Sequence, residues 1–175
     1  MAHHLDTLEE AGLIRRSTSS GDGRRRYVHL LRGALDRLTI GSIVQPGPAL
    51  FICTANSARS QLAAAFWKHL TGERADSAGT HPADHVHPGA VAAAERAGLE
   101  LSSAEPRQLT EVEPFPALVV TVCDRAHEEL RTGETWLHWS IPDPVRVNTK
   151  AAFDTALAEL RGRIESVLGD RAMAS

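Results

Sequence analysis

The chain has 175 residues, 42% hydrophobic and 23% charged, with a net charge of −3 at neutral pH. That composition supports a packed core. It excludes an intrinsically disordered chain and gives no electrostatic reason to expect a nucleic-acid or membrane partner. No apolar run approaches the ~20 residues needed to span a bilayer, and the N-terminus lacks a signal-peptide pattern, so a soluble cytoplasmic protein is expected. Charge is unevenly spread, with seven arginines against five acidic residues in 1–45 and twelve basic against seventeen acidic residues beyond. Such asymmetry divides the chain into a small unit, 1–45, and a larger one, 46–175.

In chain order, His4 to Ala11 is expected to be a short helix stopped by Gly12. Leu13–Arg16 and Arg25–Leu31 are expected as strands, joined through the turn Ser20-Gly21-Asp22-Gly23 into a hairpin. A short helix is expected over Ala34–Leu38, followed by a linker, Gln45-Pro46-Gly47-Pro48. Ala49-Leu50-Phe51-Ile52-Cys53 is a continuous apolar run, as in a strand buried on both faces. Ser60–Leu70 is expected to be helical with Leu62, Phe66 and Leu70 on one stripe, and Asp76–Thr80 a second strand. Pro88–Ala97 is a helix with proline in its first turn and Gly98 as its stop. Ala117–Cys123 is the clearest strand and Trp136–Ser140 a shorter one. Ala151–Leu168 is an amphipathic helix with the stripe Phe153, Leu157, Leu160, Ile164 and Leu168. Strands alternating with helices predict an α/β fold with a parallel sheet covered by helices.

The chemistry concentrates at Cys53-Thr54-Ala55-Asn56-Ser57-Ala58-Arg59-Ser60, which follows a strand and opens a helix. The free N–H groups and dipole at a helix start favour an anion there, and a curled loop can converge several N–H groups on one point. Cys53 in that position is expected to be a thiolate nucleophile. The planar fork of Arg59 can hold two oxygens of a tetrahedral anion. Ser60 can donate a hydrogen bond to the thiolate. Ala55 and Ala58 leave room for close backbone approach, and Asn56 tolerates unusual dihedrals and is placed to brace the loop.

This loop resembles the signature loop of the low-molecular-weight protein tyrosine phosphatases, and still more that of the arsenate reductases sharing their fold. Asp76-Ser77-Ala78-Gly79-Thr80, Val86-His87-Pro88, Val120-Thr121-Val122-Cys123-Asp124 and His138-Trp139-Ser140-Ile141-Pro142-Asp143-Pro144 fit the resemblance in order, from about Ala49 to Leu168. It implies a four-stranded parallel sheet flanked by helices. It also gives Asp143 the role of the acid that protonates a leaving oxygen. Val145-Arg146-Val147 follows where the phosphatases carry aromatic residues, and His138-Trp139 fits the arsenate pattern. Both favour arsenate over phosphotyrosine.

Cys123 matches the first resolving cysteine of the thioredoxin-coupled arsenate reductases; a buried core thiol is the alternative. The third cysteine of those enzymes is replaced here by Leu130, so a three-cysteine relay cannot operate. No bound cofactor is expected. An external thiol reductant of the thioredoxin, mycothiol or glutathione type would complete the cycle. His81, His85 and His87 lie in a proline-flanked surface loop, and no metal site is expected there.

The N-terminal unit resembles the end of an arsenic-responsive winged-helix repressor, through His4–Ile14 and Gly21–Tyr27. The preceding helices are missing, so the fold is expected to include only a small partial winged helix, with DNA binding disfavoured. If ordered, the segment would dock on a partner chain, a second copy included.

Overall fold

The computed structural model describes residues 2–31, 44–131 and 135–169. Three elements form the N-terminal unit: α1 (Ala2–Glu10), β1 (Ile14–Thr18) and β2 (Arg26–Leu30), the strands pairing antiparallel. The larger unit runs β3 (Ala49–Cys53), α2 (Arg59–Thr71), β4 (Ala75–Gly79), α3 (Pro88–Arg96), β5 (Leu118–Thr121), α4 (Asp124–Leu130), β6 (Leu137–His138), α5 (Pro144–Val147) and α6 (Lys150–Leu168). The helix expected over 34–38 lies outside the described residues.

β3 lies inside a four-stranded parallel sheet of order β4-β3-β5-β6. All five residues of β3 are buried, which is why its sequence shows no alternation. The stripe expected on α6 is buried throughout, and α2 buries Trp67 as well as Leu62 and Phe66. Trp67 lies against Phe51 with ring centroids 5.9 Å apart and donates its indole N–H to Gly47 O at 3.0 Å. α6 is capped by Thr149 Oγ1, which accepts the Ala152 N–H. α3 packs tightly on α6 at Gly89, where an added Cβ would lie 2.3 Å from the Phe153 ring.

One expectation needs correction. The strand expected over 117–123 ends at Thr121, and a helix, α4, begins at Asp124. An acidic residue in the first turn suits the helix dipole, and Arg125 pairs with Glu129 across one turn at 2.8 Å. The N-terminal hairpin packs against the larger unit of its own chain. Tyr27 lies over the His138 ring at 4.9 Å and donates its hydroxyl to Glu128 at 3.2 Å, and His29 meets Arg163 at 3.2 Å. On the opposite face, α1 holds Arg16 through Asp6 and Glu9 and helps to bury Ile14, although Leu8 stays exposed. The helix and hairpin agree with the partial winged helix in secondary structure alone.

Candidate active site

Cys53 is the last residue of β3, and Thr54–Ala58 join it to α2. The carbonyls of this loop are all engaged on its outer side. Cys53, Thr54, Ala55 and Ser57 accept the N–H groups of Thr80, His81, Ala83 and His87 at 2.8–3.2 Å, and Asn56 O accepts Gln61 Nε2 at 3.1 Å. Because a peptide unit is planar and trans, a carbonyl turned outward turns the next N–H inward. The N–H groups of Thr54 to Ala58 therefore face the inner side. Asn56 N–H reaches the Cys53 sulfur there at 3.2 Å. The loop also needs Gly79 beside it: a Cβ at that position would lie 2.6 Å from Thr54 O.

Asn56 is the internal brace. It is fully buried and takes a left-handed conformation, φ 48°, which asparagine tolerates. Its Oδ1 accepts Arg107 N–H at 2.8 Å and Gln61 Nε2 at 3.2 Å, and its Nδ2 donates to Ser60 Oγ at 2.8 Å. Ser60 Oγ stands 3.0 Å from the Cys53 sulfur. Since Asn56 supplies the proton on one side of that oxygen, the serine proton is free to point at the sulfur.

Arg59 is only 8% exposed. Its guanidinium donates to Ile141 O at 3.0 Å and lies 3.4 Å from the Asp143 carboxylate. Asp143 caps α5 by accepting Val145 N–H at 3.2 Å. Cys123 is buried, with its sulfur 3.4 Å from Thr54 Oγ1. Burial pushes its thiol pKa up, and the neighbouring Cys53 adds to this while Arg59 opposes it.

One pocket of about 660 Å³ gathers Cys53, Arg59, Cys123 and Asp143 with Thr54, Ala55, Ser57 and Ala58. Asn56 and Ser60 stand behind it. Val145 and Arg146 from α5 line it where the sequence placed them, after Asp143; sequence reasoning missed the rest of the lining, Arg125, Glu128 and Glu129 from α4 and Ser20 and Gly21 from the hairpin. The Arg125–Glu129 spacing could have signalled α4. Nothing in the sequence says where the hairpin tip lands. His138 and Trp139 do not line the pocket. Trp139 is buried against Phe51, and His138 stacks on His127 at 4.1 Å while its Nδ1 lies 2.9 Å from Thr121 Oγ1. His81 pairs with Glu129 at 3.2 Å, and His87 caps α3 and stacks on Phe153. Among the described residues, no cluster of three His, Cys, Asp or Glu could hold a metal ion. No described helix is long and apolar enough to cross a membrane.

The sequence profile of the low molecular weight phosphotyrosine protein phosphatases matches residues 49–173. The chain belongs to that family. An arsenate reductase of Halalkalibacterium halodurans is 33% identical over 102 residues, covering 55% of this chain and 73% of that protein. An arsenate reductase solved in a phosphate-binding state superposes with a TM-score of 0.61 at 26% identity, covering 70% of this chain and 96% of that one. The thioredoxin-dependent arsenate reductase Cg_ArsC1' of Corynebacterium glutamicum superposes with a TM-score of 0.55 at 27% identity, covering 76% and 68%. These matches agree with the four-stranded parallel fold expected from the sequence.

Proposed function

We propose that the chain is a thiol-dependent arsenate reductase with Cys53 as nucleophile, Arg59 and the loop N–H groups as oxyanion holders, Asp143 as acid and Cys123 as resolving thiol. The observation that carries this reading is the second thiol: Cys123 shares the pocket of Cys53, and a hydrolase has no use for it. The pocket's described lining also contains no aromatic ring to stack on a phenol. Cys53 attacks arsenate, a sulfur–arsenic bond forms, and one oxygen leaves as water with a proton from Asp143. The Cys123 thiolate then attacks the Cys53 sulfur. A disulfide forms, the sulfur–arsenic bond breaks, and its electron pair stays on arsenic, which departs as arsenite. Two electrons from an external thiol of the thioredoxin, mycothiol or glutathione type restore both cysteines. The relatives named as arsenate reductases, one of them thioredoxin-dependent, support this assignment.

The phosphatase reading is favoured by the family itself and by the complete Cys53–Arg59–Asp143 set, which could hydrolyse a phosphomonoester without Cys123. Comparing the two activities decides between them. Arsenate-dependent oxidation of each thiol system should be lost in Cys53→Ser and strongly reduced in Cys123→Ser. Phosphatase activity should survive Cys123→Ser. A wild-type chain that consumes no arsenate with any thiol system overturns the reductase reading.

A further inference from the structure

The pocket has an outer wall that the catalytic machinery does not require. Ser20 and Gly21, at the tip of the N-terminal hairpin, line the same pocket as Cys53 and Arg59. The tip is seated on α4 by specific bonds. Ser19 Oγ donates to Glu128 at 2.7 Å, and Ser20 offers both its N–H and its hydroxyl to Asp124 at 2.8 and 3.2 Å. Asp124 is 3% exposed and its Oδ1 lies 3.3 Å from His138 Nε2. The fit is close: a Cβ on Gly21 would lie 2.6 Å from Glu128 Oε2 and 3.2 Å from the Arg125 Cα.

The turn is also built to hold its own shape. Ser19 Oγ accepts the N–H groups of Gly21 and Asp22 at 3.0 and 2.9 Å, and the backbones of Ser19 and Arg25 close the turn at 3.0 Å. Farther from the pocket, Tyr27 on Glu128 and His138 and His29 on Arg163 anchor the hairpin to the larger unit. A preorganised tip, anchored at both ends of its inner face, cannot withdraw without breaking these bonds together.

We propose that the tip Ser19–Gly21 is a size filter: it admits a small inorganic oxyanion to Cys53 and shuts out an oxyanion carried on a bulky protein side chain. This deepens the arsenate reading and rests on it for the natural substrate. The access claim stands on the wall alone.

The test uses the full reduced chain and two variants that loosen the tip differently. Gly21→Leu forces a branched side chain against Glu128 and the Arg125 backbone. The double variant Ser19→Ala/Tyr27→Phe removes both hydroxyl bonds to Glu128 without adding bulk. Alkylation of Cys53 by iodoacetamide and by a fluorescein-linked iodoacetamide is followed on the Cys53 peptide by mass spectrometry. The bulky-to-small rate ratio should rise by about tenfold in both variants, as expected when bonds holding a closed state are removed. In the double variant the small reagent alone should react at the wild-type rate. The ratio of kcat/KM for a phosphotyrosyl peptide over arsenate should rise in parallel. A bulky-to-small ratio within about twofold of wild type in both variants, well below the change expected for loss of these bonds, overturns the filter, as does an equal change for both reagents. Because alkylation needs no arsenate turnover, failure of the reductase reading leaves this result interpretable.

Discussion

The two walls of the pocket are built differently. The inner wall, Cys53–Arg59, is fixed from behind by backbone: its carbonyls are bonded to residues 80–87 and its one left-handed residue is held through every polar atom of its side chain. The outer wall is fixed by the hydroxyls of Ser19, Ser20 and Tyr27, with one backbone N–H from Ser20, reaching two carboxylates on α4. Backbone-held geometry serves chemistry, because placing donors around a developing charge tolerates little displacement. Side-chain contacts can change without disturbing the sheet, so an access element can vary while the reaction stays the same.

Breaking the inner wall should have the larger effects. Arg59→Lys keeps the charge and loses the fork, so kcat/KM should fall about 10²- to 10³-fold; steady-state kinetics with little loss would show that the two-pronged geometry is unused. Asn56→Ala removes three side-chain partners and leaves an unfavourable φ, and should destabilise the chain by about 2–3 kcal/mol with activity falling alongside. Urea unfolding checks this, and a change below about 0.5 kcal/mol, the low end for one net hydrogen bond, would mean the loop is held by its backbone alone.

The outer wall should respond more weakly and depend on pH. Burial pushes Asp124 upwards, but His138, Ser140 and Ser20 outweigh it, so its carboxyl titrates well below the usual range. A depressed carboxyl stabilises the fold above its unfolded pKa of about 3.9 and loses that contribution as pH falls further. The stability difference between wild type and Asp124→Asn, about 1–2 kcal/mol, should be flat from pH 5 to 7 and shrink below about pH 4. A difference that varies across pH 5–7 would place the dependence on another group. The smallest expected effect concerns Cys123. Its raised thiol pKa favours the protonated form in the fold, so its contribution is complete below the ordinary thiol value of about 8.5 and lost as pH rises through the folded value. Alkylation of Cys123 should keep accelerating past pH 9; a plateau at or below about pH 8.5, as for a free thiol, would contradict its burial.

The sequence made the inner wall legible and left the outer one hidden, for a physical reason. Ala49–Cys53 and the residues up to Ser60 are contiguous, so strand, loop and helix could be placed from local pattern. Even the bracing role of Asn56 followed from its backbone tolerance. Asp143 and Cys123 were reachable through their places at strand ends and through the family resemblance. Ser20 and Gly21 lie more than thirty residues before Cys53 in sequence, and their docking depends on a surface formed by α4. That helix was itself concealed by the apolar run up to Cys123, which hid the point where the strand stops. His138 and Trp139 show the converse. They fit a pattern, yet one supports Thr121 and Asp124 and the other fills the core against Phe51.

The sheet order has one more consequence. β3 and β5 are direct neighbours, in register from Ala49↔Leu118 to Ile52↔Thr121, so Cys53, the last residue of β3, and Cys123, two residues past β5, lie at the same end of adjacent strands. A bond between them would tie a long stretch of chain into a ring in the unfolded state, a constraint equivalent to about 4 kcal/mol for a loop of this length before any strain is subtracted. The oxidised and reduced proteins would then unfold at different temperatures, and a melting curve becomes a gauge of where the molecule stands in its catalytic cycle.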